Sequence, residues 1–207
     1  MEFRLPPSFE DCYEKPWDPT PANWFLGTWY FIYSNSLVYQ QFQDMQWTLS
    51  PTATAPLDGT LQDLTTEFAL NETHHFVFEN YGVDTPTVIN GKIIPDSYFY
   101  VPTGPLFFAN NTWEVIAWGY DSNGVPYSVV YETPADAGFV GPSLDIISRD
   151  DSGPSKLTFD AIYEGIKALH NDQLDKLLAS IVKLKQDGGR NGQRFPTCNA
   201  TCMTDGV

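Results

Sequence analysis

The sequence predicts a mainly β protein, a single antiparallel up-and-down barrel of eight to ten strands with a C-terminal α-helix packed on the outside. Three observations predict it. From residue 23 to about 150 the chain is a series of short apolar-aromatic runs separated by turn signals. After Asp150 the apolar spacing changes to a helical period. Strands that come first and a helix that comes after suit a closed barrel, which removes exposed strand edges and leaves one outer wall for the helix to cover.

Residues 1–22 are rich in proline ("LPPSFEDCYEKPWDPTPA") and read as an extended arm. The body is expected to span residues 23–189. Its runs are "GTWYFIYS", "DMQWTLSP", "GTLQDLTTEFAL", "HHFVFENYG", "PTVINGKI", "SYFYV", "PLFFANN", "WEVIAWGYD", "VPYSVVYE" and "SLDIISRD". Turn cues stand between several of them: Asn90-Gly91, Pro102-Thr103-Gly104-Pro105 and Asp121-Ser122-Asn123-Gly124. In the helical region Phe159, Ile162, Ile166 and Leu169 share one face, and Leu174, Leu177, Leu178 and Ile181 continue the stripe. His170-Asn171-Asp172 is a candidate break with Asn171 as N-cap, and Gly188-Gly189 a candidate stop. The polar tail, residues 190–207, reads as held by its cysteines.

The formal net charge of -15 argues against nucleic acid and anionic membrane surfaces. No window approaches the roughly 18 apolar residues of a membrane span. The start "MEFRLPPSFEDCYE" has no apolar signal core, and its first three residues read as vector-derived. Three sequons, at Asn71, Asn110 and Asn199, nonetheless point to a secreted or secretory-lumen glycoprotein whose precursor carried a signal peptide. The cysteines stand only at the two extremes: Cys12, then Cys198 and Cys202. Cys12 can join Cys198 or Cys202, or the last two can join each other; three cysteines cannot all pair within one chain. The left-over thiol, or barrel contacts, would offer a route to a homodimer. The alternative is a cytosolic protein with three free thiols.

Gly27-Thr28-Trp29 on the first strand, "GYDSNGVPYSVVYE" and "LDIISRD" ending at Arg149, in that order and followed by a helix, resemble the three conserved blocks of the lipocalin family. The second block is the loosest match, since its order here is Tyr120-Asp121. The resemblance covers Asn23 to about Gly189. It implies that Trp29 plugs the closed end of the barrel and that Arg149 lies over its indole, a cation–π contact. Gly27 would let the preceding segment cross the barrel floor closely.

Enzyme motifs are scarce. Phosphate loops, serine-nucleophile elbows and zinc-protease motifs are missing, and no cofactor or metal is expected. His74 and His75 alternate on a predicted strand, so one can enter the cavity. "DSNG" reads as a hairpin turn rather than a calcium loop, and the carboxylates are assigned mostly to the solvated face. Aromatic supply is the outstanding feature: six Trp, eleven Tyr and fourteen Phe. Alternation places Phe31 and Tyr33 with Trp29. It also groups Met45, Trp47 and Leu49; His74, Phe76 and Phe78; Tyr98 and Tyr100; and Tyr127, Val129 and Tyr131. Phe31, Trp47, Phe76, Phe78, Tyr98, Tyr100, Trp118, Tyr127 and Tyr131 are the candidate ligand-binding residues. Tyr33 and His74 are the candidate catalytic donors. Such a cavity suits a hydrophobic small molecule.

In size, sequons, terminal cysteines and aromatic barrel the chain looks like the fungal lipocalin-like hetero-Diels–Alderases of tropolonic sesquiterpene biosynthesis. That resemblance implies a cofactor-independent cycloaddition between a quinone-methide-type diene and a terpenoid alkene. A non-catalytic secreted carrier of a hydrophobic small molecule is the alternative.

Overall fold

The computed structural model describes residues 2–9, 16–52, 59–69, 77–103, 108–136, 138, 140–190 and 197–198. Eight strands make the barrel: β1 (Gly27–Ser34), β2 (Phe42–Pro51), β3 (Leu61–Ala69), β4 (Val77–Ile89), β5 (Lys92–Pro102), β6 (Asn111–Tyr120), β7 (Pro126–Glu132) and β8 (Ser143–Ser148). Each pairs antiparallel with its chain neighbours, and β1–β8 closes the ring. Two helices follow, α1 (Lys156–Lys167) and α2 (Asp172–Ala179), then the short strands β9 (Val182–Lys183) on β1 and β10 (Thr197–Cys198) parallel to β4.

The ten sequence runs condense because β4 and β5 are long. "HHFVFENYG" and "PTVINGKI" share β4, with a register shift at Pro86–Val88, and Asn90-Gly91 turns the chain into β5 with both residues at positive φ. Proline removes one ladder donor, and the strand absorbs it as an irregularity instead of ending.

Asn171 caps α2, its side chain accepting from Gln173 N and Leu174 N. The helical region stops at Ala179, nine residues before Gly188. The chain leaves α2 at Ser180 and lays Val182–Lys183 along β1, so edge pairing and the β-branched "SIVK" override the glycine signal. The described start of the tail is held by hydrogen bonds. Arg190 donates to Asp44 O, Thr66 O and Thr66 Oγ1.

Two apolar clusters lie on opposite sides of the wall. Inside the barrel are Trp24, Phe25, Trp29, Phe31, Met45, Trp47, Leu49 and Trp113. Outside, Ile116, Tyr127, Val129, Tyr131, Leu144 and Ile146 pack under Ile162, Ile166, Leu174 and Leu178 of the helices. Described residues near the chain start also cover the wall. Phe3 bridges to Ala117, and Arg4 N donates to Ile116 O.

Candidate functional site

The closed end is built around Trp29, which is fully buried. The Arg149 guanidinium lies 4.0 Å from its ring centroid and donates to three carbonyls, those of Thr28, Trp24 and Leu26, each at 2.7 Å. Gly27 has φ +98°, and a Cβ there would stand 3.1 Å from Arg149 Nη1. A side chain would therefore meet both backbone strain and the clamp. Trp24 adds its indole to this end, donating to Ser128 Oγ at 2.9 Å.

Above this floor lies a cavity of about 460 Å³. Its aromatic walls are Phe31, Tyr39, Phe42, Trp47, Phe78, Tyr100 and Trp113, and Val38, Ala109, Ala135 and Val140 stand in the loops that join strands at the other end. Tyr100 lies flat against β4 because residue 82 is glycine; a Cβ there would be 2.0 Å from Tyr100 Cε2. Among the described lining residues there is no Ser, Cys, His or Lys.

Of the sequence-assigned ligand contacts, Phe31, Trp47, Phe78 and Tyr100 line this space. Tyr98 stacks on Trp113 at 4.3 Å instead of facing the cavity. Trp118 sits at the closed end, 5.1 Å from Trp24, with its indole N–H on Asp18 O. Tyr127 and Tyr131 point outward under the helices, and Tyr131 Oη accepts from Gln173 Nε2. On β7 the inward residues are Ser128, Val130 and Glu132. Tyr33 also lies outside, stacked on Phe159 of α1 at 4.2 Å. A bulge at Ile32 causes this: Phe31 pairs with Ile147 and Tyr33 with Ile146, so one extra residue reverses the alternation. His74, Phe76, Asn71, Asn199, Cys12 and Cys202 lie outside the described residues, as does the Cys198 side chain. Asn110, beside the loop end of the cavity, donates from Nδ2 to Asp136 Oδ2.

The assignment of carboxylates mostly to the solvated face has its exceptions at the cavity. Asp63, Glu67 and Glu132 line the cavity, and Asp84 and Asp145 are buried beside them. Trp47 Nε1 donates to Asp63 Oδ2 at 2.7 Å, and Trp113 Nε1 to Asp84 Oδ1 at 2.9 Å. Tyr39 Oη donates to Glu132 Oε2 at 3.0 Å, joined by Asn111 Nδ2 at 3.3 Å. Asn80 Nδ2 donates to Glu67 Oε1 at 2.8 Å. Burial raises Asp63, Glu67 and Glu132 to about 7 and Asp84 and Asp145 well above the carboxylate range. After burial, the neighbouring Asp63 carboxyl is the next cause that pushes Asp84 upward. Burial first, then these carboxylates, push the Tyr100 phenol upward, so it stays neutral. Among the described residues, no group of three or more His, Cys, Asp or Glu is arranged to hold a metal ion.

The sequence signal for this cluster is spacing: Asp63, Thr65 and Glu67 recur at every second position of β3. The opposite face carries Leu64 and Phe68, so hydrophobicity alone chooses the wrong side. Phe68 is instead buried on the outer wall, beneath the Arg190 guanidinium.

No protein-family model matches the chain. Over 202 residues it is 30% identical to botcinic acid biosynthesis cluster B protein 12 of Botryotinia fuckeliana (strain B05.10), which covers 96% of this chain and 89% of the relative. Among solved structures it is similar to insecticyanin from the tobacco hornworm Manduca sexta (TM-score 0.57, 11% identity, 90% of each chain). It is similar also to H1 crustacyanin from the lobster Homarus americanus (TM-score 0.54, 16% identity, 81% of this chain and 80% of that one). The tryptamine complex of the amine-binding protein of Rhodnius prolixus aligns with a TM-score of 0.51 and 14% identity over 82% of this chain and 83% of that one. At these identities the likeness is one of fold.

Proposed function

Because this chain has a lipocalin-like fold and belongs to the family of botcinic acid biosynthesis cluster B protein 12, we propose that it binds apolar natural-product intermediates in its barrel and promotes a hetero-Diels–Alder cycloaddition. The partners are a quinone-methide-type diene and a terpenoid alkene. The observation that carries this reading is an aromatic cavity of about 460 Å³ whose described lining offers donors and acids but no Ser, Cys, His or Lys. The volume lies in the small-molecule range of about 300–1,000 Å³.

A cycloaddition forms its bonds between the two partners, so the protein need supply only placement and electrostatics. Flat walls such as Trp47, Tyr100 and Trp113 hold the reacting faces together, and orientation of this kind supplies several kcal/mol of a barrier. When the new bonds form unevenly, negative charge gathers on the quinonoid oxygen and positive charge on the alkene carbon. A neutral phenol such as Tyr100 suits the first, and aromatic faces with carboxyl oxygens suit the second.

The test mixes diene and alkene with and without protein and follows product formation. Acceleration over buffer supports the proposal, and Tyr100→Phe should then lower turnover while leaving affinity near its starting value. Tyr33→Phe should leave both unchanged, because that side chain lies outside the barrel. A retained ligand with no acceleration would overturn catalysis in favour of the carrier. The three sequons and the terminal cysteines support secretion. Intact and native mass of protein made in a eukaryotic host would read glycans, disulfide and any homodimer together.

A further inference from the structure

We propose that the carboxyl-lined part of the cavity is a site for an organic cation, a protonated amine or quaternary ammonium carried on an apolar body. This goes beyond the reading above, since it adds a ligand class to the same cavity and stands whether or not the protein catalyses the cycloaddition.

Three acidic side chains, Asp63, Glu67 and Glu132, share one enclosed space, and no Lys, Arg or His stands among its described lining residues. Among the described residues Arg190 is the cation that acts on Glu67, but its guanidinium is committed to Asp44 O, Thr66 O and Thr66 Oγ1 on the outer wall. The local wiring suits ionised carboxylates. Trp47 donates to Asp63, Tyr39 and Asn111 donate to Glu132, and Asn80 donates to Glu67. Two lining acceptors, Asp63 Oδ1 and Glu67 Oε2, have no hydrogen-bond partner among the described residues. Glu67 is 3% exposed and lines the cavity, yet its Oε2 has no hydrogen-bond partner among the described residues. A buried carboxylate oxygen in this state calls for a donor that the described residues do not provide.

The aromatic walls add the second half of a cation site. Trp47, Tyr100 and Trp113 present π faces in the same space as the carboxyls, and such faces attract alkylammonium groups. They also disfavour a hydrated metal ion, which would keep its water shell. The net charge of -15 raises the local concentration of any cation near the mouth.

Without such a ligand the site holds protons in its place, since Asp63, Glu67 and Glu132 each lie at about 7. Burial pushes Asp84 and Asp145 well above the carboxylate range, Tyr39 and Tyr100 lie above the ordinary phenol, and burial lowers Arg190 while nearby acids oppose it. A bound cation favours the ionised carboxylates and expels protons. Affinity therefore rises with pH through the neutral range.

The experiment titrates the full chain with (4-phenylbutyl)trimethylammonium and with its neutral isostere, in which carbon replaces the nitrogen. Tryptophan fluorescence and calorimetry in two buffers of different ionisation enthalpy are read at pH 6, 7 and 8. The expected result is at least tenfold tighter binding of the cation at pH 8, severalfold weaker binding at pH 6, and proton release on binding. Glu67→Gln and Glu132→Gln should each reduce the preference while the isostere still binds, which shows that the cavity remains formed. Equal or tighter binding of the isostere at pH 8, binding without proton release, or no binding of the cation would overturn the proposal. The cycloaddition assay uses neutral partners, so either idea can fail while the other stands.

Discussion

Glu132→Gln is expected to stabilise the protein at alkaline pH. Glu132 lies at about 7 in the folded barrel against an ordinary 4.5, chiefly through burial. Between those values the native state keeps a proton that the unfolded chain has lost. Its contribution is therefore fully present below pH 4.5 and is lost as pH rises through 7. Ionising such a group in the fold costs about 3 kcal/mol. The cavity admits water and Glu132 is only half-buried by its own accessibility, so about 2 kcal/mol is the net expectation. Glutamine keeps an oxygen to accept from Tyr39 and cannot ionise. Urea unfolding followed by tryptophan fluorescence should find the variant about 2 kcal/mol more stable than its parent at pH 8 and within about 1 kcal/mol at pH 5. A variant destabilised equally at both pH values would refute the reasoning, because it would mean that Glu132 is a well-compensated carboxylate in the fold.

Arg149→Ala removes three charge-assisted bonds and uncovers Trp29; for a half-exposed guanidinium about 3 kcal/mol of destabilisation is expected from urea unfolding, and a loss under about 1 kcal/mol would show that water replaces the clamp. Gly82→Ala places a Cβ where Tyr100 Cε2 lies 2.0 Å away, so the ring must swing into the cavity. Ligand affinity should fall at least tenfold, with about 1–3 kcal/mol of overpacking strain read by unfolding. Asn171→Ala deprives Gln173 N and Leu174 N of their acceptor and should lower stability by about 1 kcal/mol in the same assay.

What the sequence made legible was written in local patterns. Turn residues such as Asn90-Gly91 carry their own backbone preference, and Asn171 announces a helix start through its neighbours. Gly27, Trp29 and Arg149 could be named because a motif holds them, although only coordinates place the guanidinium over the ring. The inward face of each strand was harder. A period of two tells which residues share a face but not which face it is, so Tyr127 and Tyr131 were assigned to the interior while Glu132 went unnoticed. The extra residue at Ile32 reversed Tyr33 with no composition signal at all. The acidic cavity was missed for the same reason: Asp63 and Glu67 look solvated until the outer wall proves to be covered by Arg190 and the C-terminal segment.

The barrel ring is sewn unevenly. β5 and β6 share only the pairs Ser97–Glu114 to Tyr100–Asn111, after the irregular stretch at Pro95 and Asp96. Beyond them Arg4 reaches across, donating to Val115 O, Pro95 O and Asp96 O, while Trp17 and Thr20 tie down the Asp96 carboxylate. The stitch joins residues 111 positions apart, so a long loop must close before it can form. In the native state the same place is a seam. There the two strands are joined by the Arg4 guanidinium and by Ser97 Oγ on Glu114, so the wall is continuous through side chains where its backbone ladder stops.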